Sequence, residues 1–371
     1  MKKIGITGQA GFVGKHLYNT LGLLPDKFER ILFEKDYFND NDRLDAFVKD
    51  CDVIVHLAAV NRHAESSKIY STNIELAQKL KDSLIRTNAK PHVIFSSSTQ
   101  EERDNPYGNA KKEARQMLSN WAVEYGSKFT GLIIPNVFGP FGNPYYNSVV
   151  ATFCHQLTHN EEPKIEEDGV LKLIYVNELV SEIVKCFDLD PHDQFTIPHT
   201  HQIKVSEILS LLIGYKNDYL QYGIIPSFSN SFELNLFNTF RCYMDIENHF
   251  PVHFKKNVDT RGAFVEVIRL NVGGQVSFST TVAGITRGNH FHTRKIERFA
   301  VIKGKALIQL RQVGTNNVLD FYLDGETPSY VDMPIWYTHN IKNIGEEELY
   351  TIFWINEFYD ANNPDTYFEN V

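Results

Sequence analysis

A tyrosine and a lysine one helical turn apart are the first residues of this sequence that could do chemistry. Tyr107 and Lys111 fall in NPYGNAKKEARQMLSNWAVEYG, which predicts a helix, so they share one face of it. A lysine near a phenol favours the phenolate and lowers its pKa. The phenol can protonate an oxygen while hydride reaches the attached carbon. Ser96, Ser97 and Ser98 end the preceding strand, where a hydroxyl could hold the same oxygen. The alternative is an exposed helix face without function.

A glycine-rich turn near the N-terminus predicts a nucleotide site. Gly8, Gly11 and Gly14 follow the first predicted strand and open a helix, so the backbone can approach a pyrophosphate and helix N–H groups can bind it. A selector at the end of the second strand would distinguish a ribose diol from a 2′-phosphate. Both Glu34 and Lys35 stand there, so the sequence leaves this choice open, as it does the alternative of solvated turn charges.

Three histidines and a glutamate form a second chemical group near the C-terminus. His290 and His292 are two residues apart in a predicted strand and face the same side. Glu297 has the opposite parity and can join them only if the intervening TRKI turns the chain, and a turn at Met333-Pro334 would deliver His339. This set suits Zn, Fe, Mn or Ni, with zinc favoured for tetrahedral ligation. The alternative is a set of polar residues lining a barrel.

The elements that must position these groups change character along the chain. Up to about residue 241, apolar runs alternate with amphipathic stretches, which predicts a parallel sheet with helices on both faces. The predicted strands are KKIGITG, RILFEKD, DVIVHLAA, HVIFSSS and FTGLIIPNVFG. Later β-branched and aromatic runs predict an all-β domain with strands AFVEVIRL, QVSFSTTV, RFAVIKGKALIQLR, NVLDFYL and ELYTIFWINEF. We expect domains at residues 1–243 and 252–371.

Composition narrows the class of protein. The net charge of −9 over 371 residues argues against nucleic acid or an anionic membrane as a partner. No window has 18 consecutive apolar residues, so we expect no membrane insertion. The four cysteines are scattered without a C-x-x-C pair, which is typical of a reducing compartment, and we expect a cytoplasmic protein.

The first part of the chain resembles a known family. GQAGFVG, HLAA, FSSS, Tyr107-x-x-x-Lys111, PNVFGP and IYVNELV are similar to the extended short-chain dehydrogenase/reductases that act on nucleotide sugars. The resemblance implies a Rossmann-like domain in which Ser98 assists Tyr107 and Lys111, with Ser97 and Thr99 as alternatives because only eight residues separate Ser98 from Tyr107. It also implies a nicotinamide-cofactor site formed by Gly8, Gly11, Phe12, Val13, Gly14, Lys35, Leu57, Ala58, Ala59, Asn73, Ser96, Tyr107, Lys111, Pro135 and Asn136.

Further residues enter this interpretation by position or type alone. Asn73 could bind a water for proton relay, and Asn147 and Lys172 could contact a sugar nucleotide.

The C-terminal part resembles cupin (jelly-roll) barrels. Their two-part metal motif is met by His290, His292, Glu297 and His339, although Trp336 replaces a glycine usual in its second part. DTRGAFVEVIRL and GITRGNHFH also resemble cupin epimerases of 4-keto-6-deoxy nucleotide sugars, in which the residue matching His290 is a base. We favour a metal ligand, which leaves the base unassigned. Tyr337 and Lys303 are candidates by residue type only.

Both modules in this order resemble bifunctional enzymes of capsular polysaccharide synthesis. The resemblance implies that the cupin epimerises C3 of a UDP-linked 2-acetamido-2,6-dideoxy-4-hexulose. The reductase then reduces C4 with NADPH to the L-talose product, in the UDP-N-acetyl-L-fucosamine precursor pathway. It also implies a homodimer. One alternative is a reductase alone, with the cupin as a dimerisation or ligand-binding module. Another is a nucleotide-sensing regulator, against which the intact Tyr107 and Lys111 argue.

Overall fold

The computed structural model describes residues 1–260 and 262–371, which form two compact units. The first unit contains residues 1–152 and 166–205, and the second contains residues 153–165 and 206–371. Residues 206–243, assigned from the sequence to the reductase domain, therefore lie in the second unit. The domain limits expected from the sequence, residues 1–243 and 252–371, separate the two proposed activities and stay a prediction. Arg261, part of the motif DTRGAFVEVIRL, lies outside the described residues.

Strands and helices alternate through the first part of the chain. The strands are β1 (Lys2–Thr7), β2 (Phe28–Ile31), β3 (Val53–His56), β4 (His92–Ser98), β5 (Lys128–Ile134), β6 (Asn136–Phe138), β7 (Val170–Tyr175), β8 (His192–Thr196) and β9 (His201–Lys204). The helices are α1 (Phe12–Gly22), α2 (Asn41–Asp50), α3 (Ser66–Thr87), α4 (Pro106–Tyr125), α5 (Val149–Thr158) and α6 (Val176–Lys185).

A six-stranded parallel sheet forms the centre of the first unit. Its strand order is β2-β1-β3-β4-β5-β8, and every pairing is parallel. Strands β3 and β4 are almost wholly buried, because separate apolar clusters cover the two faces of the sheet. The prediction of a parallel Rossmann-like sheet is confirmed. The carboxyl ends of β1, β3 and β4 meet at one edge, where this architecture binds ligands.

Two of the predicted strands end earlier than the sequence indicated. RILFEKD was expected to be one strand, but β2 ends at Ile31 and a 3-10 helix begins at Lys35. FTGLIIPNVFG was expected to be continuous, but it divides at Pro135 into β5 and β6, which lie in different sheets. Proline lacks the N–H group that a continuous strand would donate, which accounts for the break.

Helices come first in the second part of the chain, and strands follow. The helices are α7 (Val205–Tyr215), α8 (Ser231–Arg241) and α9 (Ile246–His249). The strands are β10 (Val252–His253), β11 (Lys256–Asp259), β12 (Gly262–Val265), β13 (Gln275–Thr281), β14 (Thr286–Phe291), β15 (Glu297–Lys303), β16 (Lys305–Gln312), β17 (Val318–Asp324), β18 (Ser329–Met333), β19 (Tyr337–Asn343), β20 (Leu349–Ile355) and β21 (Tyr367–Phe368).

Two five-stranded sheets organise the second unit. Their orders are β10-β18-β15-β20-β13 and β17-β16-β19-β14-β21. The predicted run RFAVIKGKALIQLR divides between them at Gly304, whose φ of +85° favours glycine. AFVEVIRL gives only the short strand β12, which pairs with β11. The region is sheet-rich as expected, but the pairings among residues 1–260 and 262–371 do not close a barrel.

The helices also bear on membrane insertion. Among the described residues, no helix is both long enough and apolar enough to cross a membrane.

Candidate functional site

The glycine turn after β1 leads into a helix whose first N–H groups could bind an anion. Gly8 has a φ of +76°, and a Cβ at Gly14 would lie 2.3 Å from the carbonyl oxygen of Gly8. Glycine at both positions therefore lets α1 begin directly against the turn. The N-cap of α1 is Gly11, which has no capping side chain, so first-turn N–H groups are available to an anion. The site fits the pyrophosphate of a dinucleotide.

A cavity of about 710 Å³ connects this turn with the predicted reduction chemistry. Most predicted cofactor and catalytic residues line it, namely Gly8, Gly11, Phe12, Val13, Gly14, Leu57, Ala59, Ser96, Ser98, Tyr107, Lys111, Pro135 and Asn136. Asn147 lines it as well. The lining also includes residues that the sequence did not indicate. Arg62 and Tyr146 lie in loops, Gln100 lies in a 3-10 helix and Asn105 immediately precedes α4, so no periodicity marks them.

Tyr107 and Lys111 lie on the same side of α4, facing the cavity. Lys111 is 2% exposed, and its ammonium lies 4.8 Å from the ring centre of Phe95 and 5.8 Å from that of Tyr107. Burial lowers the pKa of Lys111 to about 7, while the carboxylate of Glu101 opposes that change.

The sequence-based expectation that Lys111 lowers the pKa of Tyr107 is wrong for this structure. Burial raises the pKa of Tyr107, and the phenol of Tyr146 adds to the rise.

The three serines at the end of β4 have different hydrogen-bond partners. Ser96 donates to the carbonyl oxygen of His56 at 3.1 Å and accepts from Lys111 Nζ at 3.4 Å. Ser97 donates to the carboxylate of Glu101. Ser98 Oγ accepts from the backbone N–H of Gln100 at 3.2 Å, and its proton has no acceptor within the described part of the chain. Ser98 is thus the serine with a donor available to the cavity.

The short segment between the serines and Tyr107 is held by a buried ion pair. It forms a 3-10 helix, Thr99–Glu102, from which Glu101 accepts hydrogen bonds from the Arg115 guanidinium at 3.0 Å. Both side chains are less than a tenth exposed. A Cβ at Gly108 would lie 2.0 Å from the carbonyl oxygen of Gln100, so only glycine lets the segment pack on α4. No periodicity or motif in the sequence indicates this ion pair.

Several predicted residues lie outside the cavity lining. Asn73 hydrogen-bonds the N–H and carbonyl of Val60 and the carbonyl of Ile69, so its amide holds the loop after β3. Ala58 packs against Gly8. Lys35, Thr99 and Lys172 are exposed, and Arg43 pairs with both Glu34 and Asp36 beside Lys35.

The four predicted metal ligands come together in the second unit. His290 in β14 pairs directly with His339 in β19, whereas Glu297 begins β15 in the other sheet and His292 lies just after β14. One ligand atom from each of the four lies within 4.8 Å of all the others. The predicted turns between His292 and Glu297 and before His339 are both present. Lys303 is at the opposite end of β15, roughly 20 Å from Glu297.

The polar atoms of this group converge without forming hydrogen bonds. Glu297 Oε2 lies 3.0 Å from Nε2 of His292 and 3.2 Å from Nε2 of His339. Neither approach has hydrogen-bond geometry, so within the described residues all three buried atoms lack a hydrogen-bond partner. Burial would raise the pKa of Glu297, but the two imidazoles hold it well below its usual range. Buried imidazole nitrogens and a carboxylate oxygen without hydrogen-bond partners are suited to bind a divalent metal ion.

Two protein families match different parts of the chain, one containing the reduction residues and the other the histidine–glutamate group. Residues 4–195 match the NAD dependent epimerase/dehydratase family, and residues 257–367 match the polysaccharide biosynthesis C-terminal domain.

Three known proteins illustrate the similarity. A UDP-2-acetamido-2,6-beta-L-arabino-hexul-4-ose reductase from Pseudomonas aeruginosa is 31% identical over 98% of both chains. The crystal structure of the capsular polysaccharide assembling protein CapF from Staphylococcus aureus shares 36% identity over 100% of both chains, with a TM-score of 0.62. RMD from Pseudomonas aeruginosa, complexed with NADPH, is 18% identical over 58% of this chain and 83% of its own, with a TM-score of 0.53, a likeness of fold alone.

Proposed function

This chain belongs to the NAD dependent epimerase/dehydratase family, and we propose that it reduces the C4 ketone of a UDP-linked 2-acetamido-2,6-dideoxy-4-hexulose with NADPH. One observation carries the proposal: the glycine turn, Ser98, Tyr107 and Lys111 line one cavity. The 4-keto sugar comes from similarity to the Pseudomonas reductase over the full length. The preference for NADPH is part of the proposal.

The proposed reduction assigns a separate task to each side chain. Bound NADPH would supply hydride to the carbonyl carbon. The Tyr107 phenol gives its proton to the carbonyl oxygen, which converts the ketone to a secondary alcohol. Its raised pKa keeps this phenol protonated at neutral pH, which is the form a reduction requires. Ser98 donates a hydrogen bond to the same oxygen, and the Lys111 ammonium stabilises the phenolate that remains.

Replacing the phenol tests the reductase. We expect Tyr107→Phe to lower kcat for NADPH oxidation about a hundredfold or more, because it removes the proton donor. Tyr125→Phe is a matched control on the same helix and should keep full activity, since Tyr125 is absent from the cavity lining. The measurement is NADPH absorbance with the UDP-4-keto sugar. Full activity of Tyr107→Phe would contradict the catalytic assignment, and an inactive wild type would contradict the reductase itself.

We further propose that the C-terminal unit is a metal-dependent C3 epimerase with a cupin-type site. The supporting observation is the convergence of His290, His292, Glu297 and His339 with orphaned buried atoms. These four side chains would hold a divalent ion, zinc being favoured, and the ion would stabilise negative charge on a ketone oxygen. The base that removes the C3 proton stays unassigned. Burial raises the pKa of Tyr337, so its phenol is protonated and a poor base at neutral pH.

Chemistry fixes the order of the two proposed reactions. The C3 proton is acidic only while C4 is a ketone, so epimerisation precedes reduction. The proposed product is UDP-2-acetamido-2,6-dideoxy-L-talose. We also propose a homodimer joined through the C-terminal units. Its support is the edge strand β13, where Val276 is 59% exposed and Phe278 is 73% exposed.

Deuterium exchange tests the epimerase independently of reduction. In D2O without NADPH, the wild type should incorporate deuterium at C3 of the UDP-4-keto sugar, as followed by mass spectrometry. We expect Tyr107→Phe to retain this exchange and His339→Ala to lose it while retaining NADPH binding. Absence of exchange in the wild type would reject the epimerase and favour a reductase with a C-terminal dimerisation or ligand-binding module.

A further inference from the structure

The turn between β14 and β15 determines whether the four histidine and glutamate side chains can meet. His292 and Glu297 are five residues apart, and in a continuous strand they would point to opposite faces. The chain instead leaves one sheet after Phe291 and enters the other at Glu297. Contacts from another segment of the chain must hold the intervening residues 293–296 in that conformation.

A carboxylate from the C-terminal segment binds three successive N–H groups of this turn, and the side-chain oxygen of Asn356 accepts from the next one, that of Ile296, at 2.9 Å. The side chain of Asp365 is fully buried, and its two oxygens accept from the backbone N–H groups of Thr293 at 3.1 Å, Arg294 at 3.0 Å and Lys295 at 3.1 Å. The Thr293 hydroxyl donates a fourth hydrogen bond at 2.6 Å. Successive N–H groups directed at one anion form a concave nest that fixes the backbone. The carboxylate therefore substitutes for the local hydrogen bonds that this turn lacks.

The same residue also orients one of the imidazoles. The carbonyl oxygen of Asp365 lies 2.5 Å from Nδ1 of His292. When Nδ1–H donates there, the lone pair of Nε2 points to the group, where Nε2 lies 3.0 Å from Glu297 Oε2. Asp365 has a left-handed backbone with a φ of +42°, a conformation that aspartate and asparagine adopt more readily than most residues.

The residues after Asp365 continue the attachment. Tyr367 and Phe368 form β21, which pairs with β14 at Phe291 and His290. The C-terminal segment thus contacts the strand that carries one imidazole and the turn that follows it.

We propose that Asp365 is the positioning residue of the metal centre, holding the 293–296 turn with its carboxylate and His292 with its carbonyl. This inference rests on the proposed metal site. Asp365 itself is not a ligand, since its carboxylate is committed to the turn. Its contribution is to hold Glu297 and His292 at the separation that a shared ion requires.

Metal affinity of the full-length protein provides the test. Metal-free protein is titrated with zinc against a competing chelator, and bound zinc is counted by mass spectrometry. The wild type should bind one zinc per chain at this site. Asp365→Asn retains the backbone preference and the carbonyl but removes the negative charge, and we expect the zinc Kd to rise about 10- to 100-fold. Circular dichroism of the metal-free variant should match that of the wild type.

Two further variants separate positioning from a general effect on folding. Asp360→Asn lies in the same segment, where an exposed carboxylate bonds only the N–H of Asn362 among the described contacts, and it should leave the zinc Kd unchanged. Thr293→Val removes one donor to Asp365 and should raise the Kd by a smaller factor. If Asp365→Asn does not fold, the zinc Kd of Thr293→Val tests the proposal instead.

Each outcome has a separate meaning. A wild type that binds no zinc would reject the metal centre. Wild-type affinity in folded Asp365→Asn, or in Thr293→Val if the first variant fails to fold, would overturn only the role of Asp365.

Discussion

Lys111 is the residue whose surroundings bear most directly on the proposed reduction. Its ammonium is buried, its pKa is lowered to about 7, and the Glu101 carboxylate opposes the lowering. A positive charge near Tyr107 stabilises the phenolate left by proton transfer, so the charged form of Lys111 is the productive one. Deprotonation occurs as the pH rises through the pKa. We therefore expect the reduction rate to fall on the alkaline side of neutrality.

Removal of the Glu101 charge should move this fall in the reduction rate, the alkaline limb of the pH profile, to lower pH. A carboxylate stabilises a nearby ammonium, and without it the pKa of Lys111 falls further. We expect Glu101→Gln to shift the midpoint of the limb by about one pH unit toward acid, as measured from the pH dependence of kcat/KM for NADPH oxidation.

Glu102→Gln is a matched control for that experiment. Glu102 is the adjacent residue and is exposed, so its loss should leave the midpoint in place. The position of the midpoint matters more than the absolute rate, because breaking the buried pair of Glu101 with Arg115 also destabilises the fold. A midpoint unchanged in folded Glu101→Gln would contradict the electrostatic role.

At the scale of elements, the 3-10 helix at Thr99–Glu102 and the start of α4 act as one packed unit. The Asn105 side chain caps α4 by accepting from the N–H of Gly108 at 2.8 Å, and Pro106 occupies the first turn. Gly108 then contacts the backbone of the 3-10 helix closely enough to exclude a side chain. This contact holds the segment that follows Ser98 against the first turn of α4, which carries Tyr107.

A methyl group at Gly108 should therefore misplace the catalytic side chains. Alanine in a helix normally stabilises it by about 1 kcal/mol relative to glycine, but here Cβ would meet the Gln100 carbonyl oxygen at 2.0 Å. We expect Gly108→Ala to lower kcat at least tenfold while the Kd for NADPH stays within about twofold, because the glycine turn is untouched. Stopped-flow reduction and fluorescence titration measure the two quantities.

Gly214 offers the corresponding control in another helix. It lies in α7, and a Cβ there would meet nothing within 4 Å. Gly214→Ala should leave kcat unchanged and raise the melting temperature slightly. Equal effects of the two substitutions would show that helix propensity, not the close contact, is responsible.

At the scale of the whole molecule, each compact unit contains its own group of chemical residues. The reduction residues lie in the first unit, and the histidines with Glu297 lie in the second. The family matches follow this division, with residues 4–195 and 257–367. The two proposed activities should consequently be separable by single substitutions, because the residues proposed for each reaction lie in different units.

Local patterns in the sequence were sufficient for most of the architecture. Alternation of buried strands with helices predicted the parallel sheet, and the four-residue spacing placed Tyr107 and Lys111 on one face. The two-residue spacing of His290 and His292 placed both imidazoles on one side of a strand, and the resemblance to the cupin metal motif added Glu297 and His339. Strand parity and the helical repeat of 3.6 residues are local properties, which neighbouring residues determine among themselves.

Only the tertiary structure decided how these groups are held. Asp365 and Thr293 are 72 positions apart, and Glu101 and Arg115 belong to different elements, so no local period links them. Burial likewise reversed the expected direction for the pKa of Tyr107, since desolvation depends on every segment that covers a side chain. The sequence determined which groups could do chemistry, whereas long-range packing determined their charge, their orientation and which serine has a free proton.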